Sequence, residues 1–133
     1  MSTNAESTQT GATFFPIDEI DWVDERKLGD APLDLIEEGE RLGARRKLLA
    51  AGECGFHSQY SVMPAGYEVP PHSHNHDELF IVLSGGCTMH GDGHKVNAHD
   101  SIAISAGSRY GFTCGPEGMT FVVVRRDRAQ TSL

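Results

Sequence analysis

The stretch from Gly66 to Gly85, GYEVPPHSHNHDELFIVLSG, constrains what this chain can fold into more than any other part of it. His72 and His74 are two residues apart, so their imidazoles project from the same face of an extended strand. Residues 75–77 are turn-forming or polar, and we expect the chain to reverse there and bring the Glu78 carboxylate beside the histidines. Two neutral imidazoles and one carboxylate on a single metal ion form the facial triad of non-heme iron sites and related centres.

These residues resemble the first signature of the cupin family, G-x5-H-x-H-x3-E-x6-G. Every defined position of that signature is filled, by Gly66, His72, His74, Glu78 and Gly85. The resemblance covers residues 56–124. It implies an all-β fold, the double-stranded β-helix (jelly-roll or cupin barrel), whose interior holds a metal on the two histidines and the glutamate. The alternative interpretation is a solvated polar hairpin with histidines on its surface.

The pattern after residue 56 supports such a barrel independently. Short apolar segments separated by glycine and proline predict strands at 56–63, 67–74, 78–83, 87–90, 94–98, 101–105, 109–114 and 119–125. We expect the glycine-rich segments 84–86 and 115–118 to end strands. Short strands at this regular spacing indicate an antiparallel sandwich or barrel. No internal repeat is visible, so a single barrel is predicted.

The predicted organisation is a disordered N-terminal tail at 1–13, an arm with a short helix at 14–50, the barrel at 51–126 and a C-terminal tail at 127–133. The helix is expected to begin at Asp30, with Pro32 in its first turn, and to be limited by Gly39 and Gly43. The apolar residues of the arm could pack on the chain's own barrel or on a neighbour's. Because cupin-like barrels commonly associate through such arms, the resemblance implies a homodimer.

Charge and cysteine usage exclude several classes of protein. The chain has 133 residues and a formal net charge of −8, which argues against nucleic acid and anionic membranes as partners. Cys54, Cys87 and Cys114 form no CxxC pair and are odd in number, which favours reduced thiols. The first residues lack the pattern of a secretory signal, and no segment is long and apolar enough to span a bilayer. We therefore expect a soluble cytoplasmic protein with a small-molecule substrate.

The basic residues are concentrated in one place, Arg41, Arg45, Arg46 and Lys47. We interpret this cluster as a solvated face opposite the acidic residues of the arm. Recruitment of an anionic substrate is the less favoured alternative.

The second cupin signature, G-x5-P-x-G-x2-H-x3-N, is largely missing. Aligned on Gly107, the chain has His99 at the first glycine, Ser105 at proline, Tyr110 at histidine and Cys114 at asparagine. In typical metal cupins that histidine is the fourth metal ligand. Three interpretations follow for Tyr110: it ligates the metal as a phenolate, it stands off as a hydrogen-bond donor or acid–base group, or it fills space in a barrel that has lost its metal. We favour the second, because a neutral phenol is a poor ligand.

Strand parity, which places alternate side chains on one face, predicts the wall of a pocket around the metal. Its expected residues are His57, Gln59, Met63, Phe80, Val82, Phe112 and Cys114. His76 lies in the turn and is expected to be exposed rather than coordinating. Cys114 is expected to be inert packing, as buried cysteines usually are.

The resemblance implies a metal-dependent enzyme. The first hypothesis is a non-heme Fe(II) dioxygenase, similar to quercetinase-like cupins, that cleaves a carbon–carbon bond in a small oxygen-chelating diketone, flavonol or phenolic. Glu78 and Tyr110 are its expected catalytic residues, and Mn(II), Ni(II), Zn(II) and Cu(II) are alternative metals. A second hypothesis is an oxygen-independent lyase or isomerase, and a third is a non-catalytic ligand-sensing cupin. The cupins that cleave dimethylsulfoniopropionate share HxHxxxE, but they carry a tyrosine where this chain has Phe80, which argues against that activity.

Overall fold

Antiparallel strands dominate the computed structural model, which describes residues 6–7, 11–29, 31–126 and 131–132. The strands are β1 (Glu6–Ser7), β2 (Thr13–Phe14), β3 (Arg45–Ala51), β4 (His57–Met63), β5 (Glu68–His74), β6 (Glu78–Met89), β7 (Lys95–Asn97), β8 (Ser101–Ile104), β9 (Tyr110–Arg125) and β10 (Thr131–Ser132). The α-helices are α1 (Glu25–Leu28) and α2 (Leu33–Leu42), and single 3-10 turns lie at Ile17–Glu19 and Glu53–Gly55.

Strand β9 is the centre of the sheet, because it pairs with β4, β5 and β6. The sheet runs in the order β10-β5-β9-β4-β3, and β6 connects β9 to β7 and β8. All of these pairs are antiparallel. The predicted all-β fold, a double-stranded β-helix, is confirmed.

Buried and exposed side chains alternate along β6, as expected for a strand in the wall of a barrel. Glu78, Phe80 and Val82 are buried inside the barrel, whereas Leu79 and its alternate neighbours point outward and are partly exposed. Three phenylalanines from β6 and β9 pack against one another at the centre of the interior, with ring centroids 5.1–6.5 Å apart: Phe80, Phe112 and Phe121. The barrel therefore has an apolar core, and the polar cluster described below lies at one end of it.

The prediction that strands end at 84–86 and 115–118 is wrong. β6 and β9 each continue as one strand through these segments: Gly85 pairs with Met119, pairing resumes at Cys87 with Cys114, and residues 115–118 form a bulge between the two. Gly85 and Gly118 have φ values of 68° and 71°, and a Cβ atom built on Gly85 would overlap the carbonyl group of Gly118. Glycine is required at this crossing because only a residue without a side chain allows both the left-handed backbone and the close approach. The glycines therefore bend a continuous two-stranded ribbon instead of interrupting it.

The short helix expected in the arm is α2, with Pro32 as its N-cap; Asp30, the expected start, lies outside the described residues. Gly43 ends the helix at a φ of 94°. Gly39 does not limit the helix, but is buried within it, where a Cβ atom would lie 3.4 Å from the Tyr67 hydroxyl. A glycine at this position lets α2 approach the barrel closely.

The structure places several segments differently from the expected organisation. β3 pairs with β4 from Arg45 onward, so the sheet begins before the expected boundary at residue 51. In the expected tails, β1 pairs with β2, and β10 pairs with β5 at His74. The remainder of the predicted tails, at 1–5, 8–10, 127–130 and 133, lies outside the described residues. In the part of the chain that the structure describes, no helix has the length and apolar character needed to cross a membrane.

The basic residues predicted to share a solvated face diverge instead. Arg41 is exposed beside Glu38, while Arg45 and Lys47 lie over the Trp22 ring, 4.1 and 4.7 Å from its centroid. Arg46 turns toward the barrel interior. The cluster is divided because successive residues of β3 point to opposite faces of the sheet.

Replacing Gly85 by alanine tests the bend. Gly66 supplies a matched control, because it has the same φ of 68° and no atom within 4 Å of a built Cβ. We expect Gly66→Ala to cost about 1–2 kcal/mol of unfolding free energy from backbone strain alone. Gly85→Ala adds the overlap with Gly118 and should cost roughly 2–5 kcal/mol. Equal losses in urea denaturation of the two variants would contradict the proposed close approach.

Candidate metal centre and ligand cavity

Strand register brings the predicted ligands together. His72 and His74 are at the end of β5, and the reversal at 75–77 returns the chain as β6, beginning at Glu78. Tyr110, the first residue of β9, pairs with His72, and Arg125, the last, pairs with Glu78. The bend in the ribbon formed by β6 and β9 then lets Tyr110 and Arg125, from opposite ends of one strand, reach the same carboxylate.

Four side-chain atoms converge in this polar cluster. Glu78 Oε1 lies 2.9 Å from His74 Nε2 and 3.1 Å from the Tyr110 hydroxyl. The Tyr110 hydroxyl is also 3.2 Å from His74 Nε2, and His72 Nε2 is 3.1 Å from His74 Nε2. Two ligands bound at about 2.1 Å and at right angles to each other lie about 3 Å apart, which is close to these separations.

Hydrogen bonds on the far sides of the imidazoles orient both rings. His72 Nδ1 lies 2.8 Å from the Pro70 carbonyl, which can only accept, so Nδ1 carries the proton and neutral His72 presents a lone pair on Nε2. His74 Nδ1 lies 3.2 Å from the Thr131 hydroxyl. Ligating histidines are commonly held in this way through their second nitrogen. The donor set and its supports therefore fit a divalent cation.

Thr131 is a residue that the sequence analysis missed. It belongs to β10, within the segment expected to be a loose tail, and it pairs with His74 across the sheet. Nothing in the short polar sequence around it indicates a partner, because the pairing depends on a register between distant strands.

The structure places His76 differently from the prediction. It was expected to be exposed, but it is buried, with a relative exposure of 7%, and its ring stacks on His74 at a centroid distance of 5.5 Å. The Asp77 carboxylate accepts a hydrogen bond from the Ala106 amide, which holds the turn against the barrel. The ligand atoms of His74, His76 and Glu78 lie within 4.8 Å of one another, so this His-His-Glu group could also bind a divalent metal.

The Glu78 carboxylate is held ionised. Burial alone would raise its pKa, but the hydrogen bond from His74 and the charge of Arg125, whose Nε is 3.2 Å away, outweigh burial and lower the pKa. Sequence reasoning missed Arg125. Its strand parity with the buried Phe121 and Val123 is a signal that could have found it.

Tyr110 and His72, at the same centre, are held neutral. Burial raises the pKa of Tyr110 far above its ordinary value, and the negative charge of Glu78 raises it further. The phenol therefore keeps its proton and donates it in a hydrogen bond to Glu78 Oε1. Burial likewise lowers the pKa of His72, which favours the neutral imidazole that a metal requires.

A cavity of about 210 Å³ opens beside this cluster, between the barrel and α2. It is lined by Leu35, Ile36 and Gly39 of the helix, by apolar barrel residues and by His74, Glu78 and Tyr110. Four of the predicted pocket residues line it: Gln59, Met63, Phe80 and Phe112.

The other predicted wall residues lie elsewhere. Val82 and Cys114 belong to the hydrophobic core, and His57 is a half-buried residue at the start of β4. Strand parity gives the face of a residue but not its depth along the barrel, so these three share the correct face without reaching the cavity. Burial, with a smaller contribution from Cys87, raises the pKa of the Cys114 thiol to about 12, so it stays protonated.

A polar network continues from Glu78 to the helical arm. Arg125 Nη1 donates to Gln59 Oε1 at 3.0 Å, and Arg46 Nη1 donates to the same oxygen at 2.9 Å. Arg46 also forms a two-point ion pair with Glu25 of α1, with both distances 2.8 Å. The polar wall of the cavity therefore carries the candidate ligand cluster and, linked to it through Gln59, the guanidinium groups of Arg46 and Arg125.

Comparison with known proteins identifies the family. The model of the family described as "Cupin domain" matches residues 59–125, which is half of the chain. The chain belongs to the cupin family. Among curated protein sequences, none matches it.

Several solved structures share its fold at low sequence identity. KdgF from a Halomonas species is 20% identical with a TM-score of 0.63, and the match covers 88% of this chain and 96% of that one. DMSP lyase DddQ from Ruegeria pomeroyi is 17% identical with a TM-score of 0.64, over 86% and 60% of the two chains. The polyketide cyclase RemF from Streptomyces resistomycificus is 22% identical with a TM-score of 0.58, over 67% and 69%. At these identities the likeness shows the fold alone.

His74 is the central candidate ligand in this geometry, so its loss should empty the site. We expect His74→Ala, purified without a histidine tag, to lose the metal that elemental analysis finds in the wild-type protein. His94→Ala, an exposed histidine of the hairpin, is the matched control and should keep it. Stoichiometric metal in His74→Ala would show that the ligands are assigned wrongly.

The hydrogen bond between His74 Nδ1 and Thr131 Oγ1 can be removed with little change of shape by Thr131→Val. Because it orients His74, we expect metal affinity to fall by about 10–100-fold, the usual effect of losing such a support. Competition with a fluorescent chelator measures this, and Ser132→Ala on the same strand serves as the control. An unchanged affinity in Thr131→Val would mean that β10 does not position the ligand.

Proposed function

We propose that this cupin is a metal-dependent enzyme that transfers a proton to or from a small oxygen-chelating molecule, as an oxygen-independent lyase or isomerase. The observation that carries the proposal is the neutral Tyr110 phenol, 3.1 Å from Glu78 Oε1 and 3.2 Å from His74 Nε2, on the wall of a cavity. The raised pKa keeps the phenol protonated, so it donates a hydrogen bond beside the ligand cluster, and it would become a proton donor when the positive charge of a bound metal lowers that pKa.

His72, His74 and Glu78 are the ligands that we propose for the metal. The lone pair of His72 Nε2 is fixed toward His74, and the Pro70 carbonyl prevents the ring from presenting its other nitrogen. His76, stacked behind His74, is the alternative third ligand. A divalent cation bound here would supply Lewis-acid polarisation of a chelating substrate oxygen.

The remaining roles belong to side chains of the chain itself. Tyr110 holds a proton on its hydroxyl oxygen and can direct it to a substrate atom in the cavity. Arg125 keeps Glu78 ionised and oriented. Phe80 and Phe112, with Met63, exclude water from the apolar side of the cavity, which strengthens electrostatic interactions within it.

A second candidate, the Fe(II) dioxygenase expected from the sequence, is favoured by the donor set. Two histidines and a carboxylate with open positions form the ligand set of non-heme Fe(II) oxygenases. In that case Tyr110 would act as a hydrogen-bond donor to the bound substrate.

Turnover with and without oxygen separates the two candidates. Small β-diketones, flavonols, catechols and hydroxy acids would be screened in air with Fe(II) and under anaerobic conditions with Zn(II) or Mn(II). Turnover that persists without oxygen supports the lyase or isomerase, whereas turnover that requires oxygen supports the dioxygenase. Absence of turnover with any metal, together with tight binding of one compound, would favour a ligand-sensing protein.

The role of Tyr110 is tested on whichever compound is turned over. We expect Tyr110→Phe to retain the metal and to lose about 10²–10⁴-fold in kcat, the usual contribution of a positioned acid. Tyr110→His restores the histidine that typical metal cupins have at this position. If Tyr110 only fills space, Tyr110→His will bind the metal more tightly with little loss of activity, and the proposed proton transfer is then wrong.

A further inference from the structure

Arg46 and Arg125 lie at the polar end of the cavity and share one neutral acceptor. Both donate to Gln59 Oε1, at 2.9 and 3.0 Å, and the Gln59 amide nitrogen in turn donates to Ser61 Oγ at 3.0 Å. The contact with Ser61 fixes the amide so that its oxygen faces the two guanidiniums. Two cations at a single uncharged oxygen repel each other, and this arrangement favours an anion at the same place.

The guanidiniums also have donors beyond those that the described residues accept. Arg46 uses three hydrogen bonds, two to Glu25 and one to Gln59, and Arg125 uses two, to Glu78 and Gln59. A guanidinium has more N–H groups than these contacts use. Both residues line the cavity, so the additional donors are available to a ligand inside it.

The balance of charges around the cavity also favours a bound anion. Arg46 and Arg125 are offset by Glu25 and Glu78, so these four groups carry no net charge. A divalent cation on Glu78 would leave two uncompensated positive charges in a mostly apolar cavity, which is unfavourable unless an anion neutralises them. The other charged residues of the wall contribute little to this balance, because Glu40 is paired with Arg26 and the charge of Arg45 is exposed to solvent.

We propose that the substrate of this cupin carries a carboxylate group in addition to its metal-chelating oxygens, and that Arg46 and Arg125 bind this carboxylate beside Gln59. Arginine suits such a role because its planar fork matches the two oxygens of a carboxylate. At about 210 Å³ the cavity is smaller than the roughly 300–1,000 Å³ of sites for drug-sized ligands, which favours a small organic acid. The inference rests on the proposed metal-dependent function and names the substrate class for that site.

Isothermal titration with simple dicarboxylates tests the proposal. Succinate, glutarate and adipate would be compared with their half-amides, succinamate, glutaramate and adipamate, on Zn(II)-loaded and metal-free protein. One carboxylate can reach the metal while the other reaches the arginines, so at least one diacid should bind tenfold or more tightly than its half-amide. Equal affinities for every pair on protein that contains stoichiometric metal overturn the inference and leave the metal-dependent function standing.

Two variants test whether Gln59 and Arg46 are the origin of the preference for a diacid over its half-amide. Gln59→Glu places a carboxylate where we expect the ligand's own, so it should abolish the preference while melting at or above the wild-type temperature. Arg46→Gln should also abolish it, and Arg41→Gln, an exposed arginine paired with Glu38, should keep it. A preference retained in Gln59→Glu overturns the proposal. If the protein is found to bind no metal at all but still prefers a diacid to its half-amide, the arginine site is supported and the metal-dependent function is refuted.

Discussion

The close crossing of Gly85 and Gly118 is the constraint on which the rest of the structure depends. β6 and β9 pair on both sides of this crossing, and without a bend their ends would be far apart, since a strand rises about 3.3 Å per residue. At the crossing, two glycines in the left-handed region allow the ribbon to bend sharply. Tyr110 and Arg125 begin and end the same strand, yet both contact Glu78, because the bend returns one half of the ribbon over the other.

Glu78 is the point at which the two halves of the barrel meet electrostatically. A buried carboxylate is unfavourable without partners, and here the partners come from β5 and from both ends of β9. The same contacts that satisfy the charge also gather the side chains of the candidate metal centre. Folding and assembly of the site are therefore one process, and a metal would join a cluster that the fold already brings together.

The cluster is also connected to the helical arm. Arg125, Gln59 and Arg46 link Glu78 to Glu25 of α1, while α2 covers the cavity from above. A ligand that displaces the hydrogen bonds to Gln59 would therefore also change the contacts of the helical arm. Because α2 contributes apolar side chains to the cavity wall, the arm belongs to the site as much as the barrel does.

Local sequence patterns predicted the candidate ligands and part of the cavity wall. The spacing of His72, His74 and Glu78 predicted their convergence, because strand alternation and a short turn are local properties. Parity also predicted that Gln59, Met63, Phe80 and Phe112 face inward, and these residues line the cavity. The replacement of histidine by Tyr110 in the second signature correctly marked the residue that stands beside the ligands.

Only the tertiary structure decided which distant residues complete the site. Arg125 and Thr131 reach Glu78 and His74 through pairings between strands remote in sequence, and His76 is buried because the Asp77 turn is held at Ala106. Parity could not separate Val82 and Cys114 in the core from Phe80 and Phe112 at the cavity, because depth along the barrel depends on where the ribbon bends. The sequence by itself determined the barrel and the three candidate ligands, since both follow from short-range patterns. The surroundings of those ligands depend on long-range register, which no local pattern contains.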